Sequence, residues 1–319
     1  MNQNLQTVSH EPLIWTEALP PRFKGIRLPG STVSSSTGAF GSLCIQELES
    51  QHYSIRYNVF DIIQRFVLQV KSVEAGLHTR IMLKGHVDQE MNDDNKWSLR
   101  RNQVALLNAS LPEITAFYNK NLHISFDTFF SRGLVNEILP MFPSVGKTFN
   151  EESPFLSTSH WADTETLELV HSILRCKYEK ELRRHFFESR VRELLCRFLL
   201  EFSEQDPTQK PPTEEEVTSI YKAEEIINAD ISKHTNIPEL AKKVLLNEWR
   251  FKIVFKKIFG MGPYEYLVSQ RMKKGKELLK SGVSIKEVAA LTGYRPTDFT
   301  EAFIHYYGYG PSTVRRKRS

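Results

Sequence analysis

The strongest constraint on the fold of this chain is a repeat in its C-terminal third. Residues 237–263 align with residues 285–311 at a constant offset of 48 without a gap, and 8 of these 27 positions are identical. The two copies end alike, in FGMGP and YGYGP. Because an internal repeat indicates two copies of one supersecondary unit, we expect this part of the chain to fold as a tandem pair.

Each copy has the pattern of two helices joined by a tight turn. In the first copy the helices are IPELAKKV and EWRFKIVFKKIF, LLN is the turn, and Asn247 is the predicted N-cap. In the second copy they are IKEVAALT and TDFTEAFIHYY, with Gly293 at a turn position that needs positive φ. Ala241 and Ala289 are small where the helices cross. The glycines that follow end each second helix in a left-handed conformation, and the proline prevents its continuation.

A two-helix unit with an exposed, basic second helix is a helix-turn-helix, whose second helix fits the DNA major groove. The amphipathic segment 264–282, at ~1.5 Å per residue, is long enough to set the two units about one DNA turn apart. Residues 237–319 contain 17 Lys/Arg and 7 Asp/Glu, a net charge of +10, whereas the preceding residues contain 25 and 31, a net charge of −6. The basic part indicates a polyanionic partner. A plain helical bundle with a solvated basic surface is the alternative.

The first ~150 residues have a different pattern, typical of short strands. RFVLQVKSV (65–73), HTRIMLKGHV (78–87), QVALLNAS and LHISFDTFF are rich in apolar and β-branched residues and favour a small barrel or sandwich. From about Thr164 the apolar residues recur at helical spacing. We therefore expect an α+β chain, with a strand-rich domain over 1–160 and a helical segment over 161–202.

The second of the predicted helices carries an apolar stripe at positions i, i+3, i+4, i+7 and i+8. The stripe consists of Val191, Leu194, Leu195, Phe198 and Leu199. It is either core of its own domain or a dimer interface. The stretch SEQDPTQKPPTEEE that follows is rich in proline and charge and predicts a linker over 203–214. Thr213 and Glu216 form a capping box that starts the last domain, over 215–319.

Residues ~217–316, roughly a third of the chain, resemble the DNA-binding domain of the AraC/XylS family of bacterial transcription regulators. The resemblance is carried by IPELAKKV…FKIVFKKIFGMGPYEYLVSQRMKKGKELL and SIKEVAALTGY…FTEAFIHYYGYGPSTVRR. It implies seven helices, with helix-turn-helix units at 237–259 and 285–307 joined by a linker helix at 263–281 and placed in adjacent major grooves. It also implies promoter DNA as a partner and, most often, activation through contact with RNA polymerase.

The resemblance further implies where DNA is contacted. Base contacts in the first unit fall on Trp249, Arg250, Lys252 and Ile253. Those in the second unit fall on Arg295, Thr297, Thr300 and Glu301, with His305 near the phosphate backbone. Lys256 and Lys257 suit phosphate, as point charges without base information. The tail RRKR, which includes Arg315 and Arg316, either adds phosphate affinity or only solubility.

The front half is expected to regulate the DNA-binding domain. Family members often carry a cupin-like, ligand-sensing barrel followed by dimerisation helices, which implies a small-molecule effector and a homodimer. ESRVRELLCRFLLEF resembles the siderophore-sensing, pyochelin-type subgroup. The inward residues Phe66, Leu68, Ile81 and Leu83 are either the lining of an effector pocket or ordinary barrel core.

Catalytic and metal-binding patterns are missing from the sequence. It contains no Ser-His-Asp arrangement, phosphate-binding glycine loop or CxxC, and His78, His86 and His123 lack ligand spacing. We therefore expect no enzyme activity, cofactor or metal. A ligand-independent regulator and a barrel enzyme joined to a DNA-binding domain are the alternatives.

The sequence also predicts a cytoplasmic protein. Its three cysteines are widely spaced, MNQNLQTVSHEP has no signal pattern, and no apolar run reaches roughly 18 residues.

Overall fold

The chain forms two compact units, Met1–Thr208 and Gln209–Ser319, in its computed structural model. The structure describes residues 4–7, 13–71, 76–91, 95–108, 114–146, 155–203, 212–233 and 236–314. The first unit combines strands with helices, and the described residues of the second unit form helices. This confirms the α+β fold class. Most of the predicted linker over 203–214 lies outside the described residues.

The strands of the first unit form two antiparallel sheets. They are β1 Asn4–Thr7, β2 Thr32–Gly38, β3 Gly41–Glu49, β4 Tyr53–Ile62, β5 Phe66–Lys71, β6 Gly76–Lys84, β7 His86–Met91, β8 Asn95–Arg100, β9 Gln103–Asn108, β10 Ile114–Tyr118, β11 Asn121–Ser131 and β12 Phe155–Trp161. One sheet has the strand order β1-β5-β10-β7-β8, and the other has the order β12-β9-β6-β11-β4-β3-β2.

Helices follow the last strands of this unit. They are α1 Arg132–Ile138, a one-turn 3-10 helix Leu139–Met141, α2 Pro143–Gly146, α3 Thr164–Leu174 and α4 Lys180–Ser203. The side chain of Asp163 caps α3 by accepting a hydrogen bond from the Thr166 amide. The helix therefore starts where the sequence period changes, as predicted from Thr164.

The seven-stranded sheet carries a hydrophobic core on each face. On β4, Ile55 and Tyr57 pack toward the helices, together with residues of α1, α3 and α4. Phe60 and Ile62 pack toward the five-stranded sheet. This opposition follows from the alternation of side chains along a strand. The unit is therefore layered, with the large sheet between the small sheet and the helices.

The strand predicted over 78–87 is two strands, because the chain changes sheets at Gly85. β6 belongs to the seven-stranded sheet and β7 to the five-stranded one. Gly85 has φ +74°, and a Cβ there would lie 2.8 Å from Nδ1 of His123. A left-handed corner this crowded needs glycine. The apolar run hides the break, since residues on both sides are strand formers.

The four residues proposed to line one effector pocket do not face one space. Phe66 and Leu68 belong to the core between the two sheets. Ile81 and Leu83 pack into the core on the helix side of the large sheet. Of the two interpretations of these residues, ordinary core holds, because β5 and β6 lie in different sheets and the odd positions of β6 point away from β5.

The apolar stripe of α4 is core of its own unit. Its residues Val191, Leu194, Leu195, Phe198 and Leu199 are each 0% exposed. They pack against the large sheet and α3, and the rings of Phe130 and Phe198 lie 6.3 Å apart. Of the two interpretations of the stripe, the internal one holds, and a dimer interface on this face is excluded.

The second unit contains the repeat. Its helices are α5 Glu214–Ala229, α6 Ile237–Lys243, α7 Glu248–Phe259, α8 Pro263–Lys280, α9 Ile285–Leu291, α10 Pro296–Tyr307 and a one-turn 3-10 helix Pro311–Thr313. The side chain of Asn247 caps α7 by accepting from the Arg250 amide, as predicted. Gly260 and Gly308 end α7 and α10 in the left-handed conformation, with φ +73° and +76°.

The interiors of the two copies also correspond. Ala241 and Ala289 are buried where the paired helices cross. Phe251 and Phe255 lie with ring centroids 5.5 Å apart in the first copy, and Phe299 repeats this packing against Phe303 at 5.5 Å in the second. The offset of 48 residues therefore reflects one packing scheme used twice.

Two left-handed glycines of the second copy should respond differently to alanine. At Gly308 a Cβ would meet nothing within 4 Å, so Gly308→Ala should cost only the left-handed strain, about 1–2 kcal/mol. At Gly293 the Cβ would lie 2.0 Å from the Ser232 carbonyl oxygen, so overpacking should bring the cost of Gly293→Ala to about 2–5 kcal/mol. Urea unfolding of fragment 209–319 measures both. Equal costs would show that the 232 turn is displaced easily.

Leu195→Asp should unfold the first unit, because it buries an unpaired carboxylate at a site that is 0% exposed. The cost of several kcal/mol is comparable to the stability of a domain. Leu200→Asp on the same helix is the matched control, since Leu200 is 42% exposed and should change stability by less than about 1 kcal/mol. Circular dichroism melting of the full chain tests both. A folded Leu195→Asp chain that only loses self-association would contradict the core assignment.

Candidate nucleic-acid interface

One face of α7 is exposed and carries an aromatic ring among positive charges. Trp249 is 69% exposed and Ile253 is 39% exposed, while Phe251 and Phe255 on the opposite face are fully buried. A tryptophan this exposed is unusual, because the ring is normally buried. The helix therefore packs one apolar face into the core and exposes a second apolar surface.

The lysines of α7 are available for phosphate. Lys256 and Lys257 are exposed and form no ion pair with another described residue. The Nζ of Lys252 lies 2.5 Å from Oε1 of Glu248, one turn earlier. Such an exposed i,i+4 pair is worth only about 0.3–0.5 kcal/mol, so DNA phosphate can displace it. The phosphate contacts predicted for Lys256 and Lys257, and the base contact predicted for Lys252, stay predictions.

Arg250 differs from its neighbours because it is held by Glu216 of α5. Its Nε donates to Oε1 at 2.7 Å and its Nη2 donates to Oε2 at 2.7 Å. The two side chains are only 18% and 17% exposed, and these hydrogen bonds raise the pKa of Arg250. Glu216 also accepts from the Thr213 amide in the predicted capping box. The base contact proposed for Arg250 therefore requires its guanidinium to leave this carboxylate.

The reading helix of the second unit, α10, has a different surface. Arg295, at its N-cap, is exposed and makes no capping bond with its side chain. Thr297 Oγ1 lies 3.2 Å from Asp298 Oδ1, and Thr300 Oγ1 donates to the Pro296 carbonyl at 2.9 Å. Both hydroxyls are thus engaged locally.

The charge of α10 is opposite to that of α7. Within Pro296–Tyr307 the acidic and basic residues are Asp298, Glu301 and His305, whereas Glu248–Phe259 contains one carboxylate and four Lys/Arg. Glu301 and His305 are exposed and form no ion pair with another described residue. A carboxylate accepts from a cytosine amino group but is unfavourable beside phosphate.

A buried arginine joins the turn before the first repeat copy to the second copy. Arg271, on α8, is 7% exposed and donates from Nε to the Ile231 carbonyl at 2.6 Å. Its Nη2 donates to the Ser232 and Lys233 carbonyls at 3.2 and 3.0 Å. The guanidinium lies 5.0 Å from the ring of Tyr294, which belongs to the second copy. This role was not predictable from the sequence, because Arg271 resembles the other surface cations of a basic helix.

Predictions were also made for the basic tail and for the histidines of the first unit. Arg315 and Arg316 lie outside the described residues. His86 and His123 approach each other, with ring centroids 5.9 Å apart, but across the described ranges no group of three His, Cys, Asp or Glu is placed to hold a metal. Burial, reinforced by Arg56, lowers the pKa of His78 to about 4.

Among the described residues, none of the helices combines the length and the hydrophobicity that a transmembrane span requires.

Comparison with known families agrees with this geometry. Residues 240–317 match a family described as a helix-turn-helix domain, and residues 54–213, just over half of the chain, match one described as the N-terminal domain of the regulatory protein PchR. The two units are thus those of a transcription regulator with an AraC-type helix-turn-helix domain. The chain belongs to the AraC/XylS family, in the group that has a PchR-type N-terminal domain.

Curated relatives are named as regulators. The chain is 31% identical over 117 residues to the regulatory protein PocR of Salmonella typhimurium, covering 36% of this chain and 38% of that one. It is 30% identical over 98 residues to the lactose operon transcription activator of Staphylococcus xylosus, covering 30% and 35%. The chain thus matches little more than a third of the length of these relatives. Both names describe regulators, which agrees with the expectation that the protein is not an enzyme.

Solved structures resemble the chain at low similarity. Apo ToxT of Vibrio cholerae is 14% identical with a TM-score of 0.38, and the match covers 83% of this chain and 97% of that one. The AraC-like transcriptional activator CuxR is 8% identical with a TM-score of 0.39, covering 82% and 91%.

Arg250→Ala and Trp249→Ala should differ in their effect on stability, because Arg250 is paired with Glu216 and Trp249 is exposed. Arg250→Ala removes two charge-assisted hydrogen bonds and leaves Glu216 half-satisfied, so it should lower the unfolding free energy of fragment 209–319 by about 1.5–3 kcal/mol. Trp249→Ala should change it by less than about 0.5 kcal/mol, because the ring is 69% exposed. Urea unfolding measures both. Equal losses would show that the Glu216 pair contributes no more than a surface contact.

Proposed function

We propose that the protein is a sequence-specific regulator of transcription, an activator that binds double-stranded promoter DNA through both helix-turn-helix units. The observation that carries this proposal is the surface of α7, where Trp249 and Ile253 are exposed among lysines that pair weakly or not at all. Apolar groups contact thymine methyl groups in the major groove, while lysines bind the flanking phosphates.

The two units contribute unequally in this proposal. The first supplies affinity through Lys256 and Lys257, since phosphate neutralisation dominates binding to DNA, and Lys252 contributes a base contact. The second carries Asp298 and Glu301 on its reading helix, which reduces attraction to phosphate and leaves Arg295 as the cation at its start. The base contacts of the second unit therefore add selectivity more than affinity.

The remaining parts of the proposal rest on family membership. The PchR-type domain supports control by a small-molecule effector, and the name of the Staphylococcus xylosus relative supports activation of transcription. We infer contact with RNA polymerase, a homodimer and a cytoplasmic location as further parts of the proposal. An effector acts by binding one arrangement of the protein more tightly than another.

Binding of fragment 209–319 to duplexes selected from a random pool, and to scrambled duplexes, tests the DNA proposal across salt concentration. Trp249→Ala should reduce the preference for the selected duplex by about tenfold or more, since a good base contact is worth about 1–3 kcal/mol. The double variant Lys256→Ala/Lys257→Ala should weaken binding to both duplexes alike. It should also reduce the salt slope by about 2, because each phosphate contact contributes about 0.9.

Lys222→Ala is the matched control, because this exposed lysine lies on α5, outside both repeat copies. It should leave both preference and salt slope unchanged. Selection that enriches no common sequence, or a Trp249→Ala variant that keeps its full preference, would contradict the assignment of α7 as a base-reading helix.

A further inference from the structure

The first unit has a cleft outside its two-sheet core, of about 720 Å³. One wall is the β3–β4 hairpin turn around Ser50–Tyr53, and the other is the first two turns of α4. The volume lies within the range of about 300–1,000 Å³ that is usual for small-molecule sites. The cleft is lined by residues of one unit only, so its shape depends on that unit alone.

The wall formed by α4 is a single helix face rich in positive charge. Lys180, Arg183, Arg184, Phe187 and Glu188 line the cleft and stand at positions i, i+3, i+4, i+7 and i+8, with His185 at the border of this face. Phe187 is 1% exposed, which anchors this face against the unit. The three cations therefore point along the cleft rather than away from the protein.

These cations are not held by carboxylates of the described residues. Lys180, Arg183 and Arg184 form no ion pair with another described residue. They lie in the first turns of a 24-residue helix, where the positive end of the helix dipole disfavours cations. Like charges spaced i,i+3 and i,i+4 also repel one another. A bound anion would relieve both effects.

The backbone around the cleft is shaped for this arrangement. Lys180 has φ +48°, a left-handed conformation that a non-glycine residue adopts at a cost. Gly30 has φ +79°, and a Cβ there would lie 2.9 Å from Nε of Arg183. The missing side chain of Gly30 thus makes room for the guanidinium.

The other walls limit the chemistry of the occupant. Leu48, Tyr53 and Phe187 give the cleft apolar surface. Burial, with Glu188, raises the pKa of Tyr53 to about 12, so its hydroxyl stays neutral at pH 7. Glu188 accepts a hydrogen bond from Arg192 on the next turn at 3.3 Å, and Glu49 is the second carboxylate of the lining. The three unpaired cations still outnumber the two carboxylates.

We propose that this cleft binds a small organic anion with two or more carboxylates, held by Lys180, Arg183 and Arg184 with its carbon body against Phe187 and Leu48. The guanidinium groups match carboxylates through paired hydrogen bonds. The inference deepens the proposed function, on which it rests for its meaning, because it assigns a chemical class to the effector.

The position of the cleft links anion binding to the helix that precedes the second unit in the sequence. α4 starts at the cleft and ends at Ser203, immediately before the segment that leads to the second unit. Its far end is fixed by Glu201, which accepts from Thr166 Oγ1 at 2.6 Å and pairs with His160 Nε2 at 3.0 Å. An anion bound at the first turn of α4 therefore contacts the same helix that ends immediately before the segment between the two units.

Calorimetric titration of the full chain with citrate and with succinate, at constant ionic strength, tests the proposal. Both should bind, and citrate at ten times its Kd should raise the melting temperature of the first unit by about 3–6 °C. Arg183→Gln/Arg184→Gln should weaken binding at least tenfold. Lys120→Gln, an exposed lysine between β10 and β11, should bind citrate like the unaltered chain.

Acetate and sulfate define the limits of the site. Acetate should bind at least tenfold more weakly than succinate, and sulfate more weakly than citrate, because sulfate has no carbon body. Binding of neither dicarboxylate nor tricarboxylate, unchanged binding in the double variant, or equal binding of sulfate would overturn the proposal. The titration contains no DNA, so its failure is distinct from failure of the DNA assay.

Discussion

The DNA-binding unit depends on one buried guanidinium. Arg271 satisfies three consecutive carbonyls of the turn at 231–233 and stacks beneath Tyr294. Gly293 approaches the same turn so closely that no side chain fits there. This turn follows α5 and precedes the first repeat copy, while Tyr294 and Gly293 belong to the second copy. Arg271 and Gly293 therefore hold the start of the unit against its second copy. Two DNA-binding helices that contact half-sites of fixed separation need a rigid scaffold of this kind.

The two copies share their interior and differ in their surface. Ala241 with Ala289, and the two phenylalanine pairs, repeat at the same depth. Outside, α7 offers tryptophan and lysine, while α10 offers threonine and glutamate. Core positions of duplicated units are constrained by packing density, and exposed positions are free to diverge with their ligand. One scaffold therefore presents two chemically distinct surfaces.

The sequence was informative where structure is local. Caps at Asn247 and Thr213, the glycine helix ends and the start of α3 follow from neighbouring residues, and all were predictable. Contacts between distant residues were not predictable: Glu216 and Arg250 stand 34 positions apart, and the sequence indicated only a cap for the first and a DNA base for the second. The break at Gly85 was hidden because both flanks favour strands. The face of the α4 stripe was undecided, since helical spacing shows that a side is buried but not what covers it.

The capping box at the start of α5 closes entirely within four residues, between Thr213 and Glu216. The start of α5 therefore needs no contact with the residues before Thr213. Glu216 also accepts two hydrogen bonds from Arg250, so the capped start of α5 is joined directly to α7. A domain with such a self-contained beginning can be joined by recombination to unrelated partners and still fold.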